Sequence, residues 1–240
     1  MKFNRILSPN FTKKPRKLSN IRHIILHYTG MQSKGASIKK LISLNHEVSC
    51  HYLIDRLGNI TNMVEDQNIA WHAGKSKWKN FENLNHSSVG IELVNKGHSF
   101  GYENFSNKQI NSLIKLCLYL KKKYKIKNSN ILGHSDIAPL RKKDPGEKFP
   151  WLKLSKNKIG TWYLEKKSKI KNVSKNKRRK LFFKNLSKIG YKYFNKDKKK
   201  YTDKLIVLAF QSRYCQNEVS GKIDQKTFEI SQLLVNNLKN

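Results

Sequence analysis

Apolar residues in this chain fall in short runs between polar, lysine-rich stretches, and the spacing within each run predicts the element it forms. Ile24, Ile25 and Leu26 stand consecutively within residues 21–28, as in a strand buried on both faces. A helix is expected from about Ser37, with Ile38, Leu41, Ile42 and Leu44 turned inward. Residues 51–56 and 60–65 flank Leu57-Gly58-Asn59 as the arms of a hairpin. Residues 66–86 lack a period and form a loop holding Trp71, His72, Gly74 and Trp78, and a further strand covers 88–94. The clearest helix starts at Ser106, where Ser106-Asn107-Lys108-Gln109 has the capping-box pattern. Ile110, Leu113, Ile114, Cys117 and Leu120 then recur down one face. A short strand over 129–134 ends in Gly133-His134. Strand, helix, strands, helix, strand predicts an α/β domain, a mixed central sheet flanked by helices.

The pattern also divides the chain. Residues 1–19, with Pro9 and Pro15, are expected as an N-terminal arm, and 20–153 as the α/β domain. Periodicity fades in the Lys/Asn/Ser-rich stretch 154–177, the signature of a linker. Residues 178–240 are expected as a small domain of three helices. The first carries Leu181, Phe182, Leu186 and Ile189 and stops at Gly190. The second carries Leu205, Ile206, Leu208, Ala209 and Phe210, and the third follows Asp224 with Phe228, Ile230, Leu233 and Leu234.

Composition narrows the chemistry. The three cysteines, Cys50, Cys117 and Cys215, are odd in number and far apart, which argues against a disulfide framework or a thiolate metal cluster. The formal charge of +34 would draw anionic polymers to the surface. Only eight of the fifty basic residues are Arg, the residue that reads phosphates and bases bidentately, so no specific nucleic-acid partner is expected. No stretch reaches the roughly 18 apolar residues of a membrane-spanning helix. The first residues lack the apolar run of a secretory signal, which favours a cytoplasmic location. A monomer is the default expectation.

His27 and His134 each end an apolar run, which puts their imidazoles at the rim of a sheet. Asp144 follows His134 by ten residues, in Arg141-Lys142-Lys143-Asp144-Pro145-Gly146. Two imidazoles, one carboxylate and an open fourth position make a known catalytic zinc arrangement. Spacing alone does not select this trio from eight histidines, and His51 and His72 compete for the metal. By themselves, Glu92 fits a surface carboxylate and Lys142 a solvated charge.

The segments around these residues resemble the type 2 N-acetylmuramoyl-L-alanine amidases, zinc enzymes related to animal peptidoglycan-recognition proteins and phage amidase lysozymes. Six blocks carry the likeness in order over residues 20–150. They are Ile24-Ile25-Leu26-His27-Tyr28-Thr29, Val48-Ser49-Cys50-His51-Tyr52-Leu53-Ile54 and Ala70-Trp71-His72-Ala73-Gly74-Lys75-Ser76. Then come Val89-Gly90-Ile91-Glu92-Leu93, Ile131-Leu132-Gly133-His134-Ser135-Asp136 and the 141–146 segment. The resemblance implies one zinc ion on His27, His134 and Asp144. It implies Glu92 as general base and acid, Lys142 as stabiliser of the developing oxyanion, and substrate contacts from Trp71, His72 and Trp78. Asp136 is a candidate to orient a metal-bound imidazole. Cys50 stands where the phage relatives have a catalytic tyrosine, which points to the bacterial branch that relies on Glu92.

Residues 178–240 resemble a peptidoglycan-binding three-helix domain through Leu186 to Gly190-Tyr191, Ala209-Phe210-Gln211, and Gly221-Lys222-Ile223-Asp224 with Thr227. The competing reading is a helical cap packed on the catalytic domain. The implied function is hydrolysis of the amide between the muramic acid lactyl group and L-alanine in peptidoglycan or muropeptides, in bacterial cell-wall turnover or recycling. Two alternatives remain open. One is a cytosolic recycling amidase restricted to 1,6-anhydro-muropeptides; the other is a recognition protein that binds without cutting. A wall-binding domain would favour the periplasm or envelope over the cytoplasm.

Overall fold

Strands form where the apolar runs stand, and short polar turns separate them. The computed structural model describes residues 3–164 and 173–238. The chain begins with β1 (Asn4–Arg5), β2 (Phe11–Thr12), β3 (His23–Tyr28) and α1 (Lys34–Ile42). It continues through β4 (Tyr52–Ile54), β5 (Ile60–Asn62), β6 (Ile69–Ala70), β7 (Lys77–Trp78), β8 (Phe81–Glu82) and β9 (Ser88–Leu93). Next come α2 (Asn107–Tyr124), β10 (Ile131–Gly133), α3 (His134–Ile137) and α4 (Trp151–Lys156). The last elements are α5 (Lys175–Ile189), α6 (Asp203–Tyr214) and α7 (Gln225–Asn237). Among the described residues the central sheet runs β1-β5-β4-β9-β3-β10. The β4–β5 hairpin is antiparallel and every other neighbouring pair is parallel, so the sheet is mixed.

Alternation along β3 and β9 sorts the two faces. Ile24, Leu26, Val89, Ile91 and Leu93 pack with Ile110, Leu113, Leu116, Cys117 and Leu120 of α2, the face predicted from helical spacing. Each such fully buried aliphatic contributes about 1.5–3 kcal/mol relative to exposure. Ser106 caps α2 by accepting from the Gln109 amide at 3.1 Å. The reciprocal arm of the capping box is not made: Gln109 Nε2 donates instead to the carbonyls of Ile54 and Val94, tying the helix to the sheet. The opposite face of β3 and β9 presents His23, Ile25 and His27 beside Ser88, Gly90 and Glu92.

The stretch expected as an arm is stitched into this framework. β1 adds to the sheet edge beside β5, and β2 pairs antiparallel with β6. Arg16, 8% exposed, donates to the carbonyls of Asp66 and Ser88 at 3.0 and 2.7 Å. Two-residue strands carry no periodicity, so backbone pairing here left no mark in the pattern.

The three C-terminal helices form over the expected apolar sets. Gly190, with φ of 138°, ends α5, and a Cβ there would come within 2.6 Å of the Trp78 indole. Asp224 caps α7 by accepting from the Thr227 amide at 2.7 Å. Phe182, Leu186, Tyr191, Phe210 and Phe228 share one core with Ile25, Trp78, Leu84, Leu132 and Ile137. The helices therefore pack on the sheet face that α2 leaves free. The expected linker, 154–177, begins inside α4 and keeps Ile159 fully buried; its residues 165–172 lie outside the described residues. Among the described residues, no helix is long and apolar enough to cross a membrane.

Candidate active site

His27 sits one residue from the end of β3, directly in register with Glu92 on β9, so both side chains leave the same face of the sheet. His134 follows β10 and opens α3. The Ser135 amide donates to the Asp144 carbonyl at 2.9 Å, joining the two loops that carry His134 and Asp144. These residues line a cleft of about 350 Å3, together with Tyr28 and Lys142.

Hydrogen bonds behind the cleft fix the tautomers. The Ser88 hydroxyl donates to the Leu84 carbonyl at 2.5 Å, so its oxygen accepts from His72 Nε2 at 3.2 Å. His72 Nδ1 is then an acceptor, and it receives the Nε2 proton of His27 at 3.0 Å. His134 Nε2 lies 3.1 Å from the Ala73 carbonyl, which can only accept, and 3.3 Å from Arg141 Nη2; the shorter contact makes it a donor. Both imidazoles consequently aim a bare Nδ1 lone pair into the cleft.

Those two nitrogens lie 3.0 Å apart, and Asp144 Oδ2 lies 2.9 and 3.1 Å from them. Three lone pairs would then converge, an arrangement that a bound cation relieves. The separations are close to the roughly 3.3 Å ligand–ligand edge of a zinc tetrahedron with ~2.0 Å bonds. Among the described residues, this is the group of His, Cys, Asp or Glu side chains that could hold a metal ion. The donor set fits zinc, and it leaves a fourth position facing the cleft.

Electrostatics follow from burial. Burial, with His134 beside it, pushes His27 down to about 4, so the imidazole is neutral. Glu92 is 8% exposed, and its Oε2 has no partner. Burial, reinforced by the Asp144 charge, pushes its carboxyl up to about 8, while Lys142 pulls the other way.

His23 gives a separate acid response. Burial pushes it down to about 4 against the aid of the Ser87 carbonyl. The folded state binds fewer protons than an unfolded chain whose imidazole titrates near 6.5. The stability due to neutral His23 is therefore complete above about pH 6.5 and is lost as the pH falls toward 4. We expect His23→Gln to lose less stability than wild type between pH 7.5 and 5, by on the order of 2 kcal/mol, read from urea midpoints. Comparing the two chains isolates His23 from carboxyls that titrate in the same range. Equal losses would mean that His23 titrates in the fold as it does in the unfolded chain.

The remaining sequence-predicted residues separate. Lys142 is half-buried on the cleft wall. His72 also lines the cleft, but its ring is spent on orienting His27, and Gly90 makes room for it: a Cβ there would lie 2.4 Å from His72 Cγ. His51 is turned away from the ligands, accepting from the Gly90 amide at 3.0 Å. The two tryptophans are not brought to the cleft. Trp71 donates to the Thr12 hydroxyl at 3.1 Å, and Trp78, 2% exposed, packs on Tyr191 with ring centroids 5.0 Å apart. Asp136 binds Arg213 and Tyr191 rather than an imidazole. Three contributors were missed: Ser88, the Ala73 carbonyl, and Arg141, whose guanidinium clamps the carbonyls of Ala73 and Lys75. Ser88, at the start of a strand, carried no signal, and a backbone carbonyl carries none in any sequence.

A family model described as N-acetylmuramoyl-L-alanine amidase (Amidase_2) matches residues 17–147. The chain is 32% identical over 235 residues to the N-acetylmuramoyl-L-alanine amidase AmiD of Escherichia coli K12, covering 90% of this chain and 82% of that protein. The structure of E. coli AmiD with anhydro-N-acetylmuramic acid-L-Ala-D-γ-Glu-L-Lys superposes with a TM-score of 0.80 at 28% identity, covering 94% of this chain and 92% of that one. AmpDh3 of Pseudomonas aeruginosa in complex with an anhydromuramic pentapeptide gives a TM-score of 0.78 at 28% identity, over 95% and 94% of the two chains. The 1,6-anhydro-N-acetylmuramyl-L-alanine amidase AmpD of Haemophilus influenzae is 35% identical over 164 residues, 61% of this chain and 86% of that protein.

Proposed function

Because the chain belongs to the N-acetylmuramoyl-L-alanine amidase family, we propose that it cuts the amide between the muramic acid lactyl group and L-alanine with one zinc ion on His27, His134 and Asp144. The chain is a bacterial amidase of peptidoglycan turnover. The convergence of three lone pairs within 3.1 Å of one another, beside a buried carboxyl, carries the reading. When bound there, zinc supplies Lewis acidity at the scissile carbonyl and acidifies water in the cleft.

The chain's own side chains do the rest. Glu92, held near 8 by burial and by Asp144, gains and loses a proton near neutrality. It takes the proton of the attacking water and returns it to the departing L-alanine nitrogen. The Lys142 ammonium stabilises the negative charge that gathers on the carbonyl oxygen. His72 holds His27 in the tautomer that keeps Nδ1 bare.

The anhydro-muropeptide substrate of the AmiD complex, the anhydromuramic pentapeptide bound to AmpDh3 and the likeness to the 1,6-anhydro amidase AmpD support 1,6-anhydro-muropeptides as substrates here. A chain that binds without cutting is disfavoured, because ligand set, base and cation share one cleft. The test is hydrolysis of anhydro and ordinary muropeptides, followed by mass spectrometry with and without a chelator. Free stem peptide should appear, vanish on chelation and return with zinc. Hydrolysis unaffected by chelation would sink the zinc assignment, and binding without cleavage would sink the amidase.

A further inference from the structure

Asp136 is wholly buried but is not part of the proposed ligand set. Its Oδ2 accepts from the Gly133 amide at 2.8 Å and from Arg213 Nη1, and its Oδ1 accepts from the Tyr191 hydroxyl at 2.5 Å. The first bond fixes the Leu132–Gly133 peptide, one residue before His134. The other two come from α6 and from the residue after the α5 cap, 77 and 55 positions further along the chain. Arg213 also donates from Nη2 to the Ile131 carbonyl at 3.2 Å, and its guanidinium lies 4.0 Å over the Trp151 ring. One side chain thus grips β10 at its first residue directly and at its last through Asp136.

Movement at this point has little room. A Cβ on Gly133 would lie 2.7 Å from Pro145 Cδ, next to Asp144. The Ser135–Asp144 backbone bond couples the same two loops. A buried carboxylate stripped of its cation must shift or take in water, and here any shift is passed to the backbone of His134. Metal affinity is sensitive to such displacement, because ligands must be held in place by the groups around them.

We infer that Arg213 and Tyr191 are positioning residues for the metal centre, setting the backbone at His134 through Asp136 and so tuning zinc affinity. The inference rests on the zinc reading above, and it gives the C-terminal helices a part in building the reaction centre.

The experiment measures the zinc dissociation constant of the full chain by competition with a chromophoric chelator, with circular dichroism as the folding check. Tyr191→Phe removes one hydroxyl and leaves the ring on Trp78; zinc should bind about tenfold more weakly. Arg213→Met should weaken it about a hundredfold, and Arg213→Lys should restore part of the loss. Turnover at saturating zinc should fall less than affinity. A folded Tyr191→Phe chain with wild-type zinc affinity would overturn the inference, and it decides the matter if Arg213→Met does not fold. A wild-type chain that takes up no zinc would overturn the zinc reading itself, and this inference with it, before any variant is compared.

Discussion

Glu92→Gln should keep one zinc per chain and lose turnover by about 10³-fold, within the range a general acid–base contributes. The substitution is close to isosteric, so β9 and its register with β3 should persist. The side chain it replaces has no partner at Oε2, so folding loses no bond there. What is lost is the ability to take a proton from water and return it to the leaving nitrogen. Zinc content by elemental analysis and kcat on a muropeptide, measured on one preparation, separate the two roles. Normal turnover would remove Glu92 from the chemistry, whereas loss of zinc in parallel would make it part of the metal's surroundings.

His27→Ala should lose zinc and activity together, with affinity falling by more than the roughly hundredfold expected for groups behind the ligands. Two of the three close contacts in the ligand set disappear with this ring. His72 also loses the proton it accepts. A parallel His72→Ala chain should show the milder fall, because all three proposed ligands remain and only the bond that orients His27 is lost. Equal zinc uptake by His27→Ala and wild type, in a chelator competition, would show that the metal sits elsewhere.

His27, His134, Asp144 and Glu92 were legible as a set through the resemblance of the motif blocks, because spacing does not select three ligands from eight histidines or set the register that puts Glu92 beside His27. Periodicity alone placed His27 at the rim of a buried strand. The interior of α2 was legible for the same reason. Burial of Trp78 was not. Trp78 looks like a groove aromatic until α5 and the Gly190 turn close over it, a contact made by residues more than a hundred positions away. His72 has the same history: a loop histidine suggests substrate, but Gly90 opens a space behind His27 and the ring fills it. Asp136 was expected to steady an imidazole. It steadies a peptide instead, because its two remote partners were invisible as a pair.

The order of strands in the sheet also sets a timetable for synthesis. β3 emerges early, yet its neighbours β9 and β10 arrive only after residues 88 and 131, and parallel pairings of that span form slowly. The three proposed ligands come from positions 27, 134 and 144, and the arginine that braces the last strand from 213. The proposed ligand set is therefore complete only once residue 144 has emerged, and its proposed brace only after residue 213. On that ligand set, metal uptake should wait for the third ligand, and chains interrupted before α6 should hold the ion more weakly than chains that include Arg213.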